Sequence, residues 1–180
     1  RTPSASNLPL TAIASQLKVS GLDLSSFPGM TTDSVSFGQA LPFGHIMNVN
    51  LRDASVTIDA QWDQWPMSKC STEACYRAER VTINDIPADA ALISIARDFA
   101  QEHGIDLSKH GEPEVDNQWK RDYDRMLNKA DAYVPESMRV VFPQLVDGSA
   151  VRDQGGTTSG VSFNVSVKHE RVMSVYGITG

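Results

Sequence analysis

Cysteine is scarce in this chain: of its 180 residues only Cys70 and Cys75, in "KCSTEACYR", carry a thiol. A closed structural zinc site takes four ligands, and no third or fourth cysteine stands nearby to supply them. Nor does the pair have the spacing of a thioredoxin-type redox motif, which has two intervening residues and a βαβ context. A local disulfide, two free thiols or a reactive thiol remain open. The disulfide is the expectation, closing a loop of six residues. It would place the protein outside the cytosol.

Basic charge is in deficit as well. Lys and Arg number 16 against 22 Asp and Glu, a formal net charge of −6. Binding to nucleic acid needs a basic face that displaces counterions. The one local concentration, "WKRDYDR", is mixed in sign, so no nucleic-acid partner is expected. Long apolar runs are missing too, and nothing approaches the roughly 20 residues that span a bilayer. No signal peptide is visible. The chain opens on "RTPSAS" without an initiator Met. We read it as an excised piece, left by removal of a leader or membrane anchor, by precursor processing or by another cut.

The usual catalytic motifs form a third absence. There is no G-x-S-x-G elbow, and neither thiol has a neighbouring His. "DQGGTTSG" lacks the Lys and the strand–helix frame of a phosphate loop and reads as a polar hairpin loop between Val151 and Val161. The four histidines, His45, His103, His110 and His169, are scattered. His103 and His110 flank "GIDLSK" and with Glu102 or Glu112 offer metal donors in principle. Their spacing matches no standard ligand motif, and a solvated His103 near a negative helix end is the plainer reading. Asp59, Asp63, Asp122 and Asp124 give no sign of the burial that separates a general acid from a general base. No catalytic residue, cofactor or metal is assigned, and the reading leans away from an enzyme. The sequon Asn164-Val165-Ser166 falls in an expected strand and reads as incidental.

What the chain does contain is a core's worth of apolar residues, 41%, and a pattern written twice. "MNVNLRDASV" (47–56) has a near-twin in "FNVSVKHERV" (163–172). Ahead of them, "VSFGQAL" (35–41) and "VVFPQL" (140–145) share Val-x-Phe-x-Gln. Earlier still, "SGLDLSSFPG" (20–29) resembles "HGIDLSKHGE" (103–112). Three blocks recurring in one order argue for an internal duplication. Each twin alternates apolar and polar residues, breaks briefly, and alternates again, which predicts a hairpin in each copy. Helices are predicted at 8–19, with Leu10, Ile13, Ala14 and Leu17 on one side, and at 88–103, with Leu92, Ile93, Ala96, Phe99 and Ala100. Gly21 and Gly104 suit left-handed C-caps. Pro87, Asp85 and Asp89 favour the start of the second helix. An extra helix is expected within 119–129, packing through Met126 and Leu127, and a strand in "YRAERVTIND" (76–85). The fold class is α+β: two tandem helix-plus-antiparallel-sheet units, 1–84 and 85–180.

A helix followed by three antiparallel strands and ending in a Val-rich hairpin resembles the PepSY domain group. Tandem copies are similar to the membrane-tethered extracytoplasmic regulators of cell-wall histidine kinases. The family's hairpins carry D-x-x-x-G-x-V, whereas "RDASV" and "KHERV" have no Gly in the turn. The resemblance implies an extracytoplasmic binding or inhibitory module and supplies no catalytic residues.

"DAQWDQWPMSKC" leaves two readings open. Trp62 lies in the core beside Ile58 with Trp65 capping the sheet edge, or Trp62, Trp65 and Met67 form an exposed protein contact. The expected function is a non-catalytic binding or regulatory module of a membrane-anchored or secreted bacterial protein. Its partner would be another envelope protein or peptide, and any membrane attachment would run through an N-terminal anchor outside this chain. The alternatives are an envelope hydrolase whose residues meet only in the fold, and a structural spacer.

Overall fold

A computed structural model of the protein describes residues 33–179. The helix predicted over 8–19, its terminating Gly21 and the "SGLDLSSFPG" stretch lie outside the described residues. Among the described residues there are nine strands and three α-helices. The strands are β1 (Ser34–Gly38), β2 (His45–Asn50), β3 (Ser55–Ala60), β4 (Glu114–Val115), β5 (Ser137–Pro143), β6 (Leu145–Val146), β7 (Ser149–Ala150), β8 (Gly160–Ser166) and β9 (Arg171–Thr179). The helices are α1 (Glu73–Ala78), α2 (Asp89–Glu102) and α3 (Trp119–Arg125). Seven strands make one antiparallel sheet in the order β1-β2-β3-β9-β8-β5-β4, and β6 and β7 pair separately. The α+β class is as expected.

The alternation in the twins sets the two faces of this sheet. Met47 and Val49 stand opposite Ile58 and Val56, Phe163 stands opposite Val175, and Val140 and Phe142 stand opposite Phe163 and Val161. These side chains share one face. Asn48, Thr57, Asn164, Ser174 and Arg139 occupy the other. α2 packs on the apolar face over β5, β8 and β9. It buries Leu92, Ala96, Phe99 and Ala100, spaced for one helical stripe, and complete burial of a Leu side chain such as Leu92 contributes about 2 kcal/mol. Its end is a Schellman motif: Ile105 N–H bonds Ala100 O at 2.8 Å and Gly104 N–H bonds Gln101 O at 3.3 Å. Gly104 is left-handed at φ 67°, as its placement after the periodic residues predicts.

β1-β2-β3 and β5-β8-β9 are both three-stranded meanders, and their third strands meet, β3 against β9. The two expected units, 1–84 and 85–180, therefore contribute to one sheet. The hairpins after β2 and β8 have loops of the same length, closed by the pairs Asn50 with Ser55 and Ser166 with Arg171. The last loop residue is left-handed in both, Ala54 at φ 56° and Glu170 at φ 49°. The Val-x-Phe-x-Gln blocks do not share a register. Val35 faces Val49, whereas Val140 faces Phe163, the counterpart of Met47. A slip of two keeps the same side chains inward, so packing tolerates it.

Three local expectations are corrected. "YRAERVTIND" is not a strand: α1 occupies 73–78 and a 3-10 turn occupies Ile83–Asp85. Thr72 caps α1 by accepting the Cys75 N–H at 3.3 Å. Asp85 turns back to accept from Thr82 N–H at 2.8 Å, so it caps that turn and not α2. α3 ends at Arg125, where Lys129 Nζ donates to the carbonyl of Asp124 at 2.8 Å. Met126 and Leu127 then lie outside the helix and are exposed, Leu127 completely.

Candidate functional site

At one end of the sheet a cleft of about 540 Å³ opens between the last turns of α2, the β1–β2 loop and the β8–β9 turn. The strand alternation that places Met47 and Val49 inward also aims His45 at the apolar face, next to Val172 and under α2. His45 Nε2 lies 2.8 Å from Val172 O. A carbonyl only accepts, so Nε2 carries the proton. On α2, His103 Nδ1 lies 2.9 Å from Phe99 O, and its ring stacks on Phe99 at 3.9 Å. The β8–β9 turn delivers His169, and Asp98, Glu102, Glu170 and Arg171 complete the charged lining.

An aromatic chain ties these groups to the tryptophan segment. Trp65 lies 5.1 Å from Phe43, 5.9 Å from His45 and 5.9 Å from His169. His45 meets Phe99 at 5.1 Å. Phe43 holds its ring between Trp65 and His169 from a left-handed backbone, φ 59°, a conformation that costs a bulky residue about 1 kcal/mol. The loop closes around Gly44, whose N–H bonds Leu41 O at 2.7 Å. The Gly44 carbonyl accepts the Trp65 indole N–H at 2.9 Å. A Cβ at Gly44 would fall 2.2 Å from Gln39 O, so no other residue fits.

Burial lowers the pKa of His45, opposed by the Val172 carbonyl and aided by His103. Burial also lowers that of His169, with Lys168 and Arg171 adding to the effect. Both shifts favour the neutral ring. Among the described residues the only three metal-donor side chains within mutual reach are Cys70, Cys75 and Glu79. The first two are joined in a disulfide, which removes their thiolates as ligands. No Ser, Thr or Cys side chain lines the cleft among the described residues.

The cysteine pair forms the expected disulfide, with its Cα atoms 5.4 Å apart. The tryptophans divide. β3 stops at Ala60, so Trp62 falls in a 3-10 turn instead of a strand and is 57% exposed. Trp65 is the core residue at 5% exposed, and Met67 is 74% exposed. Of the three residues read as a possible protein contact, Trp62 and Met67 are exposed and Trp65 is not. His110 sits apart, bridged to Gln144, and Glu112 approaches Arg97 at 3.8 Å. Asp59 accepts from the Tyr176 hydroxyl at 2.6 Å. Gathering His45 and Phe43 with His103 and His169 is what sequence reasoning missed. The inward phase of His45 on its strand was a usable signal, and nothing local marked Phe43.

No known protein family, curated protein or solved structure matches this chain. Among the described residues, no helix is long and apolar enough to cross a membrane.

Proposed function

We propose that the chain is a non-catalytic, extracytoplasmic binding module of a membrane-anchored or secreted bacterial protein. It holds a segment of another envelope protein or peptide at the aromatic cleft. The observation that carries this reading is the exposed Trp62 ring lying 6.0 Å from buried Trp65, the residue that braces Phe43 and His169. An exposed Trp fixed on a rigid base beside a cleft makes a low-entropy anchor for a partner. The disulfide is compatible with an oxidising compartment.

We further propose that the two units are PepSY-like and arose by duplication. The turn equivalents support this. In D-x-x-x-G-x-V the first position falls on Asn50 and Ser166 and the Gly position on Ala54 and Glu170. Asn50 Oδ1 accepts Arg52 N–H at 2.9 Å and Ser166 Oγ accepts His169 N–H at 3.2 Å, the capping work of an Asp. Both Gly positions are left-handed.

The test is a peptide-display selection on the disulfide-intact protein. Selected peptides should lose binding to Trp62→Ser with Met67→Ser, and keep it on Leu127→Ser, a change at an exposed residue elsewhere. Enrichment of nothing, or equal binding to all three proteins, sinks the proposal.

A further inference from the structure

We propose that the cleft receives a basic side chain, Arg or Lys, from the bound segment, an inference that rests on the binding reading above. Carboxylates outnumber cations in the lining, Asp98, Glu102 and Glu170 against Arg171 alone among the described residues. His45 donates through Nε2 to Val172 O and His103 through Nδ1 to Phe99 O. Burial favours the neutral form of the His45 ring, in which the opposite nitrogen, Nδ1, offers a lone pair. Asp98, Glu102 and Glu170 add carboxylates, and among the described residues none of the three is in an ion pair. Arg97, next to Asp98, turns instead towards Glu112.

The only cation of the lining among the described residues, Arg171, lies 4.7 Å from the Phe43 ring centroid and so shows that this wall accommodates a guanidinium. A guanidinium or ammonium group has donors, no acceptor and a positive charge. It complements the surplus of carboxylates in sign and can donate to them. An acidic segment would meet like charge, and an apolar one would displace water from the carboxylates without supplying donors in its place.

The probe is a fluorescein-labelled peptide of alternating Arg and Ser, compared by fluorescence polarisation with a peptide of alternating Glu and Ser. The Arg peptide should bind and the Glu peptide should not. Asp98→Asn with Glu102→Gln should weaken the Arg peptide about tenfold, the loss expected for charge-assisted hydrogen bonds. Asp122→Asn with Asp124→Asn removes the same charge from α3, outside the cleft, and should leave affinity unchanged. Equal weakening by the two pairs would mean attraction to net charge alone and would overturn the inference, as would equal binding of the Glu peptide. Display-selected peptides that depend on Trp62 but carry no basic residue and ignore Asp98 and Glu102 would defeat this inference and leave the binding reading standing. Loss of the Trp62 dependence would defeat that reading itself.

Discussion

Ile58 and Val175 face each other across the β3–β9 seam, and each holds the same place in its own meander. Ile58 stands opposite Met47, and Val175 stands opposite Phe163, the counterpart of Met47 in the repeated stretch. Both are at most 1% exposed. The pair joins the halves of the sheet at their most buried point.

Truncating this pair tests how far the halves depend on each other. Ile58→Ala should cost about 3 kcal/mol and Val175→Ala about 2 kcal/mol in urea unfolding. Because the two share a contact, the double variant should depart from the sum by at least about 0.5 kcal/mol. Strict additivity, or two separate unfolding transitions, would show that the seam does not couple the meanders.

The two left-handed turn residues predict an uncommon gain. Ala54 and Glu170 adopt a backbone that disfavours any side chain, and glycine relieves that strain at some cost in unfolded-chain entropy. Ala54→Gly and Glu170→Gly should each stabilise by about 0.5–1 kcal/mol. Arg52→Gly, in the same β2–β3 loop without a positive φ, should destabilise. If all three glycines lower the melting temperature, the turn assignment is wrong.

Acid should weaken the fold through His45. Its pKa in the folded protein lies below the ordinary 6.5 because the ring is buried, so between those values the unfolded chain binds the extra proton. The sign follows: stability is fully present above about pH 6.5 and is lost as pH falls through that value towards the folded pKa. His169 is shifted in the same direction. His45→Gln keeps a donor for Val172 O and cannot titrate. Its melting temperature should fall less steeply between about pH 7.5 and pH 5 than that of the wild type, and a parallel pair of curves would remove His45 from the account.

Periodicity made the sheet and α2 legible, because alternation and the helical stripe are imposed by burial. Met47, Val49, Phe163 and Val165 point inward as read, and Leu92, Ala96 and Phe99 do likewise. The segment 76–85 was misread because its structure rests on caps by Thr72 and Asp85, which leave no apolar period. Trp62 was open between two readings, since where β3 stops depends on the Gly44 loop beside it. The cleft was largely hidden. His45, His103 and His169 come from distant stretches, and no local spacing announces that a β1–β2 loop, a helix end and a β8–β9 turn converge.

The seam also has a consequence in time. Most of the chain lies between β3 and β9, so the first meander exists as a nascent sheet with an unpaired edge until the final strand arrives. Closing such a distant pairing is slow, because the loop entropy is spent before the contact is gained. During synthesis the exposed edge of β3 is where a chaperone or a second nascent copy finds backbone groups to bind. Maturation of this protein is therefore gated by the appearance of β9, and a chain stopped short of Arg171 would present β3 as an open, association-prone edge.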